Sequence, residues 1–289
     1  MADIEFGLPT WQAVLLCLMF AGLYVGSLYV WGKSTREKNR DHPDVIKKRF
    51  ISVSIVCLIV PIILWSVSKK SEKAEASCLF DWLGLRFWGI LPALVLPLFL
   101  TMVLFLGPLS LHYMDGVFRL YLESKYWTNS VKNYAWIRNH IVAPISEEFI
   151  FRACMLPLLV PCLGPVLSVF LCPLFFGVAH FHHMIEKVAH GQQAVGEAFA
   201  QSLFQLSYTT VFGAYSAFLF LRTGHLMAPV IAHAFCNHMG FPSFGEVMGY
   251  SSSTRLKLSI MFVLGLVAWL GLLFPLTSPW LYSNDVYSI

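Results

Sequence analysis

An all-α bundle of about eight membrane-crossing helices is the fold this sequence predicts, and three observations carry the prediction. Hydrophobic residues make up 57% of the chain and charged residues 12%, with a mean hydropathy of +0.66, a balance outside the soluble range. Apolar stretches recur along the chain, each close to the roughly 20 residues needed to cross about 30 Å of hydrocarbon. Lys and Arg gather in the loops between those stretches. The formal net charge of +4 is therefore a matter of membrane topology. The lipid bilayer is the expected partner and nucleic acid is not.

Taken in order, the segments are Leu8–Trp31, Phe50–Val67, Phe87–Leu109, Asn139–Pro161, Leu163–His183, Gly196–Leu221, His225–Phe241 and Leu256–Leu276. They form a single integral membrane domain over residues 1–289. The first begins beside Asp3 and Glu5 rather than a basic region and is too long for a signal-peptide core, so it reads as a retained span. The turn Pro161-Cys162-Leu163-Gly164-Pro165 splits the fourth and fifth segments into a tight helical hairpin. The seventh is the shortest. Six of the seven cysteines lie in apolar runs and no CxxC pair occurs, which argues against a disulfide framework or a thiolate zinc site.

The loops after segments 1, 3, 5 and 7 hold most of the basic residues, led by Lys33, Arg36, Lys38, Arg40, Lys47, Lys48 and Arg49. These loops are expected in the cytosol, with both termini on the far side. Lys69, Lys70, Lys73 and Arg86 after the second segment run against that assignment. Between segments 3 and 4, Tyr113, Phe118, Tyr121, Tyr126, Trp127, Tyr134 and Trp136 alternate with polar residues. That pattern suits a stretch lying along the membrane surface, either as an anchor or facing a substrate.

Ionisable groups inside a membrane helix need compensation, since the lenient insertion scales charge roughly 2.5–3.5 kcal/mol for a central Asp, Lys or Arg. Segment 4 carries Glu147, Glu148 and Arg152. Glu148 and Arg152 stand at i and i+4 on one face and read as an ion pair, whereas Glu147 is turned about 100° away. Glu147 lies about eight residues into its segment, roughly 12 Å deep at 1.5 Å per residue. Alternating chain direction brings His180 of segment 5 and His233 and Asn237 of segment 7 to the same depth and the same side.

These residue types suit hydrolysis by a carboxylate-activated water. Glu147 with His180 supplies the base, and His233 with Asn237, sharing one helix face, supplies two donors for an oxyanion. His112, His140, His182, His183 and His190 are read as interfacial or capping histidines. Two other chemistries use the same side chains. Glu147, His180 and His233 are acceptable zinc ligands, although no HExxH occurs and Asn237 suits oxyanion donation better than metal binding. A proton relay in a transporter is the second, though the sequence contains no internal repeat. No cofactor is expected.

At these residues the sequence resembles the Ras-converting CAAX prenyl endopeptidases, the intramembrane glutamate proteases also called type II CAAX prenyl proteases. Their pattern of EExxxR, FxxxH and HxxxN stands here as Glu147-Glu148-Phe149-Ile150-Phe151-Arg152, Phe176-Gly177-Val178-Ala179-His180 and His233-Ala234-Phe235-Cys236-Asn237. The resemblance implies a catalytic core within 139–241 that removes the last three residues of a prenylated CaaX protein, such as a Ras-like small GTPase, at the endoplasmic reticulum membrane from the cytosolic side. It assigns Glu147 and His180 to the water, His233 and Asn237 to the oxyanion, and Glu148, Arg152 and Phe176 to support, with no metal.

Overall fold

In a computed structural model the chain is described over residues 3–36, 38–71, 77–179, 188 and 193–287. Helices make up nearly all of its regular structure. The strand content among these residues is one short antiparallel pair, Ile4–Glu5 with Lys69–Lys70. The main helices are α1 (Thr10–Ser27), α2 (Pro43–Ser66), α3 (Ile90–Leu104), α4 (Leu106–Met114), α5 (134–163), α6 (Pro165–Ala179), α7 (Val195–Thr223), α8 (Met227–Met239) and α9 (Ser252–Leu276). With α3 and α4 counted together they correspond one to one with the eight apolar segments.

By length and composition α1, α2 and α9 can each cross a membrane, and the α3–α4 pair makes a fourth span among the described residues. These outer helices present Leu15, Leu58, Ile62, Leu91, Val263 and Val267 on the molecular surface, where lipid tails solvate them. By contrast, α5 is buried almost continuously from Ile150 to Leu159 and forms the axis of the core. A helix apolar on all sides belongs at such a position. Its Glu148 and Arg152 are thereby withdrawn from lipid as well as from water.

The third segment differs from the expected single span. α3 and α4 meet at 74°. Pro108 lacks the N–H that would reach the Leu104 carbonyl, so the helical ladder stops and Phe105 takes φ −89°, ψ 20°. The bend lets α4 lie against α9. A Cβ on Gly107 would fall 2.3 Å from the Phe262 ring, and one on Gly265 would fall 2.6 Å from the Val103 carbonyl, so both contacts require glycine.

α5 and α6 form the expected hairpin. Gly164 takes φ +75°, a conformation that L side chains avoid, and Pro165 opens α6 with its φ already set. At one end of the bundle Arg138 donates to Asp41 and His238 meets Tyr121, joining the loops after the first and third segments to α5 and the end of α8. At the other end Ile4 bonds Ser77, Leu226 bonds Gly84, and the Tyr287 hydroxyl donates to the Trp82 carbonyl. The alternation of sides read from the sequence is therefore met by contacts at both ends. The aromatic stretch folds as short helices, Val117–Tyr121 and Ser124–Ser130, with Phe118, Tyr126 and Trp127 packed around Tyr121. It docks on the end of α8 and none of these aromatic rings lines the central cavity described below.

Candidate active site

Two π-turns in α5, Arg138–Val142 and Phe149–Cys154, flank the α-helical turn Ala143–Glu148 that carries both glutamates. Such insertions concentrate at functional sites because they change which face a side chain occupies. The first has a local cause. Ala143 N–H bonds the Arg138 carbonyl, five residues back, and Pro144 has no N–H. The Asn139 carbonyl therefore has neither of the backbone partners it would otherwise find. Asn237 of α8 supplies one, its Nδ2 donating to that carbonyl at 2.8 Å. In the second π-turn the Phe151 carbonyl accepts from Cys172 Sγ at 2.7 Å.

Glu148 is fully buried and joins three helices. Its Oε1 accepts from His233 Nδ1 at 2.7 Å, and its Oε2 accepts from the Ser216 hydroxyl of α7. Arg152 Nε lies 3.2 Å from the same Oε2. None of the Arg152 nitrogens has a hydrogen-bond acceptor among the described residues, so its tie to Glu148 is one of charge. The guanidinium also covers the Phe176 ring at 4.7 Å, and Phe176 meets the rings of Phe151 and His233 edge-on at 5.0 and 6.3 Å. Phe176 thus packs beneath both Arg152 and His233.

Glu147 points elsewhere. Its Oε2 lies 3.7 Å from His233 Nε2 and its side chain reaches a cavity of about 1120 Å³. With Nδ1–H committed to Glu148, Nε2 is the ring nitrogen that faces Glu147 and the cavity. Ser146 meets the Tyr24 hydroxyl of α1 at 2.9 Å, which places that phenol at the cavity wall beside Glu147.

The expected i, i+4 pairing of Glu148 with Arg152 is present, and Glu147, His233 and Asn237 all line the same cavity. His180 lies outside the described residues. Two relations escape the sequence reading. Glu148, read there as a strut, also holds His233, and Asn237 spends one amide hydrogen on the π-turn. Helical spacing shows neither, because both partners sit on other helices. Ser216 and Tyr24 carry no sequence signal at all. Among the described residues no three His, Cys, Asp or Glu side chains cluster to hold a metal ion.

The cavity has two chemically distinct parts. Near the loops lie Arg40, Arg49 and Arg138. Elsewhere the wall is apolar, formed by Phe204, Tyr208 and Phe212 of α7, Phe241, and Trp269 and Leu273 of α9. Phe204, Tyr208, Val211 and Phe241 line it and keep a large part of their surface accessible.

Residues 129–239 match the family model described as type II CAAX prenyl endopeptidase, Rce1-like. The chain is 47% identical to a human protein named CAAX prenyl protease 2 over 284 residues, 96% of this chain and 85% of that protein. It is 41% identical to the rat protein of that name, over 96% of this chain and 84% of that one. The Arabidopsis thaliana protein of the same name is 34% identical over 94% and 92%. No solved structure matches.

Proposed function

The chain belongs to the type II CAAX prenyl endopeptidase family, and from that membership we propose that Glu147 activates the water that cuts the peptide bond after a prenylated cysteine. The substrate is a CaaX protein, Ras-like small GTPases included, and the products are a prenylcysteine terminus and a free tripeptide. The observation that carries this reading is the placement of Glu147 and His233 Nε2, 3.7 Å apart, at the wall of one cavity with both an apolar and a basic part.

In this mechanism the Glu147 carboxylate removes a proton from water as its oxygen attacks the scissile carbonyl carbon. The carbonyl π electrons pass to oxygen, and donors at His233 Nε2 and the remaining Asn237 amide hydrogen meet that oxyanion. Collapse of the intermediate breaks the C–N bond, and Glu147 returns the proton to the leaving amine. His180 shares the base role with Glu147. Glu148 orients the His233 ring and balances the charge it carries when both nitrogens hold protons.

The apolar part receives the prenyl chain beside Phe204, Val211 and Phe241. Leaving that chain among apolar side chains and lipid avoids a cost of about 0.8 kcal/mol per CH₂ exposed to water. The site faces the cytosol in the endoplasmic reticulum membrane, the side on which the basic loops lie. A peptide assayed with and without its farnesyl group tests the reading. Cleavage confined to the farnesylated peptide, lost by a factor on the order of 10²–10⁴ in Glu147→Gln and His180→Ala at unchanged melting temperature, is expected. Full activity in either variant refutes the assignment.

A further inference from the structure

Three arginines line the part of the cavity nearest the loops: Arg40 from the loop before α2, Arg49 from the first part of α2, and Arg138 from the first π-turn of α5. They come from separate places in the chain yet act on one carboxylate. Arg138 Nη1 donates to Asp41 Oδ1 at 2.7 Å, and Arg40 Nε lies 3.7 Å from the same oxygen. Arg138 first, and Arg40 and Arg49 after it, hold the Asp41 carboxyl below the usual carboxylate range. Asp41 is itself more than half exposed. At the other end of this stretch Glu147 is the only carboxylate among the described residues lining the cavity.

The spacing supplies a length. Arg138 and Glu147 are nine residues apart on one helix, about 13 Å at 1.5 Å per residue. Three residues of extended peptide span about 10–11 Å. A chain whose scissile carbonyl sits at Glu147 and whose last three residues run toward the loops therefore ends within a side chain's reach of the arginines. Its terminus carries a carboxylate, the group for which guanidinium forks are shaped.

We infer that Arg138, with Arg49 and Arg40, binds the α-carboxylate of the substrate's last residue, so that the enzyme sets its cut by distance from the chain end. This rests on the endopeptidase reading above. Asp41 is the resident carboxylate that the substrate's terminus displaces or joins. The anchor gives a physical reason for release of a tripeptide: the ruler between Arg138 and Glu147 fits three residues.

The test compares one farnesylated peptide with a free C-terminal acid and with a C-terminal amide, using the full-length protein in phosphatidylcholine vesicles with and without phosphatidylserine. The wild type is expected to favour the acid by about ten- to a hundredfold in kcat/KM, the value of a charge-assisted hydrogen bond. Arg138→Gln and Arg49→Gln should collapse that ratio toward one, mainly through KM for the acid, and Arg138→Lys should retain part of it. Reading the ratio removes any loss of folded protein, which lowers both rates alike. A wild-type ratio near one overturns the inference, as do variants that slow acid and amide equally. A loss that is equal for both peptides and appears only with phosphatidylserine overturns it too, since the arginines then read a lipid headgroup. Failure of the wild type to cut any prenylated peptide overturns the parent reading and this inference together.

Discussion

Replacing Glu148 with glutamine removes one charge and almost no volume, so it separates the two duties of this carboxylate. Three donors converge on it: His233 Nδ1, the Ser216 hydroxyl and the Arg152 guanidinium. A carboxamide offers one acceptor oxygen and one donor NH₂. With the oxygen toward His233, its NH₂ faces Ser216, which can accept, and Arg152, which cannot. Arg152 is then fully buried without its carboxylate. Removing one partner of a buried pair costs about 3–5 kcal/mol, a large share of the roughly 5–15 kcal/mol that holds a domain together. At about 2–4 °C per kcal/mol the apparent melting temperature of the purified protein should fall by roughly 6–20 °C. Glu148→Gln/Arg152→Met removes both charges and should recover most of that fall, because apolar replacement of a buried pair is often neutral. Activity on a farnesylated peptide should nevertheless stay down by a factor on the order of 10²–10⁴, since the carboxamide oxygen can still accept from the His233 ring but no longer balances the charge that ring carries when both nitrogens hold protons. A single variant that melts like the wild type refutes the structural duty, and a double variant that regains activity refutes the charge-balancing one.

Other substitutions probe the supporting contacts. Asn237→Ala removes the exposed hydrogen bond to the Asn139 carbonyl and should cost about 0.5–1.5 kcal/mol of stability in addition to activity; an unchanged melting temperature would show that water replaces the amide without loss. In Gly213→Ala the new Cβ falls 2.8 Å from Pro173 Cβ and 2.9 Å from Arg152 Nη2, so α6 and α7 must separate, at about 1–3 kcal/mol in thermal melts. Asp41 has its carboxyl held below the usual range by the hydrogen bond from Arg138. A depressed folded-state pKa contributes stability that is present above the unfolded value near 3.9 and lost as pH falls through the folded value. The melting-temperature difference between wild type and Asp41→Asn should therefore shrink below about pH 4, and solvent screening of this exposed pair keeps it within about 1 kcal/mol. A difference that grows on acidification would contradict the pairing.

Much of the bundle is legible in composition because a bilayer imposes a length and a polarity on every segment that crosses it. The turn at Gly164 and the alternation of sides follow from local backbone rules and chain direction. The bend at Phe105 has its cause in Pro108, but an apolar segment interrupted by proline also reads as a continuous span, and only packing of Gly107 and Gly265 at the α4–α9 and α3–α9 contacts selects the 74° angle. Likewise Pro144 is visible in the sequence, yet the partner of the carbonyl it frees, Asn237, lies about a hundred residues later.

By sequence alone Glu147, His180, His233 and Asn237 are expected at one depth of the membrane, since span length and strict alternation of direction leave little choice. Tertiary structure alone decides which of these side chains touch. Glu148 holds His233 as well as Arg152, Glu147 is left facing the cavity, and Arg40 and Arg138, distant in the chain, meet at Asp41. Hydrogen bonds and ion pairs act over a few ångströms, whereas sequence periodicity specifies only the face of a helix. The partner on that face is set by how neighbouring helices are rotated and bent against it.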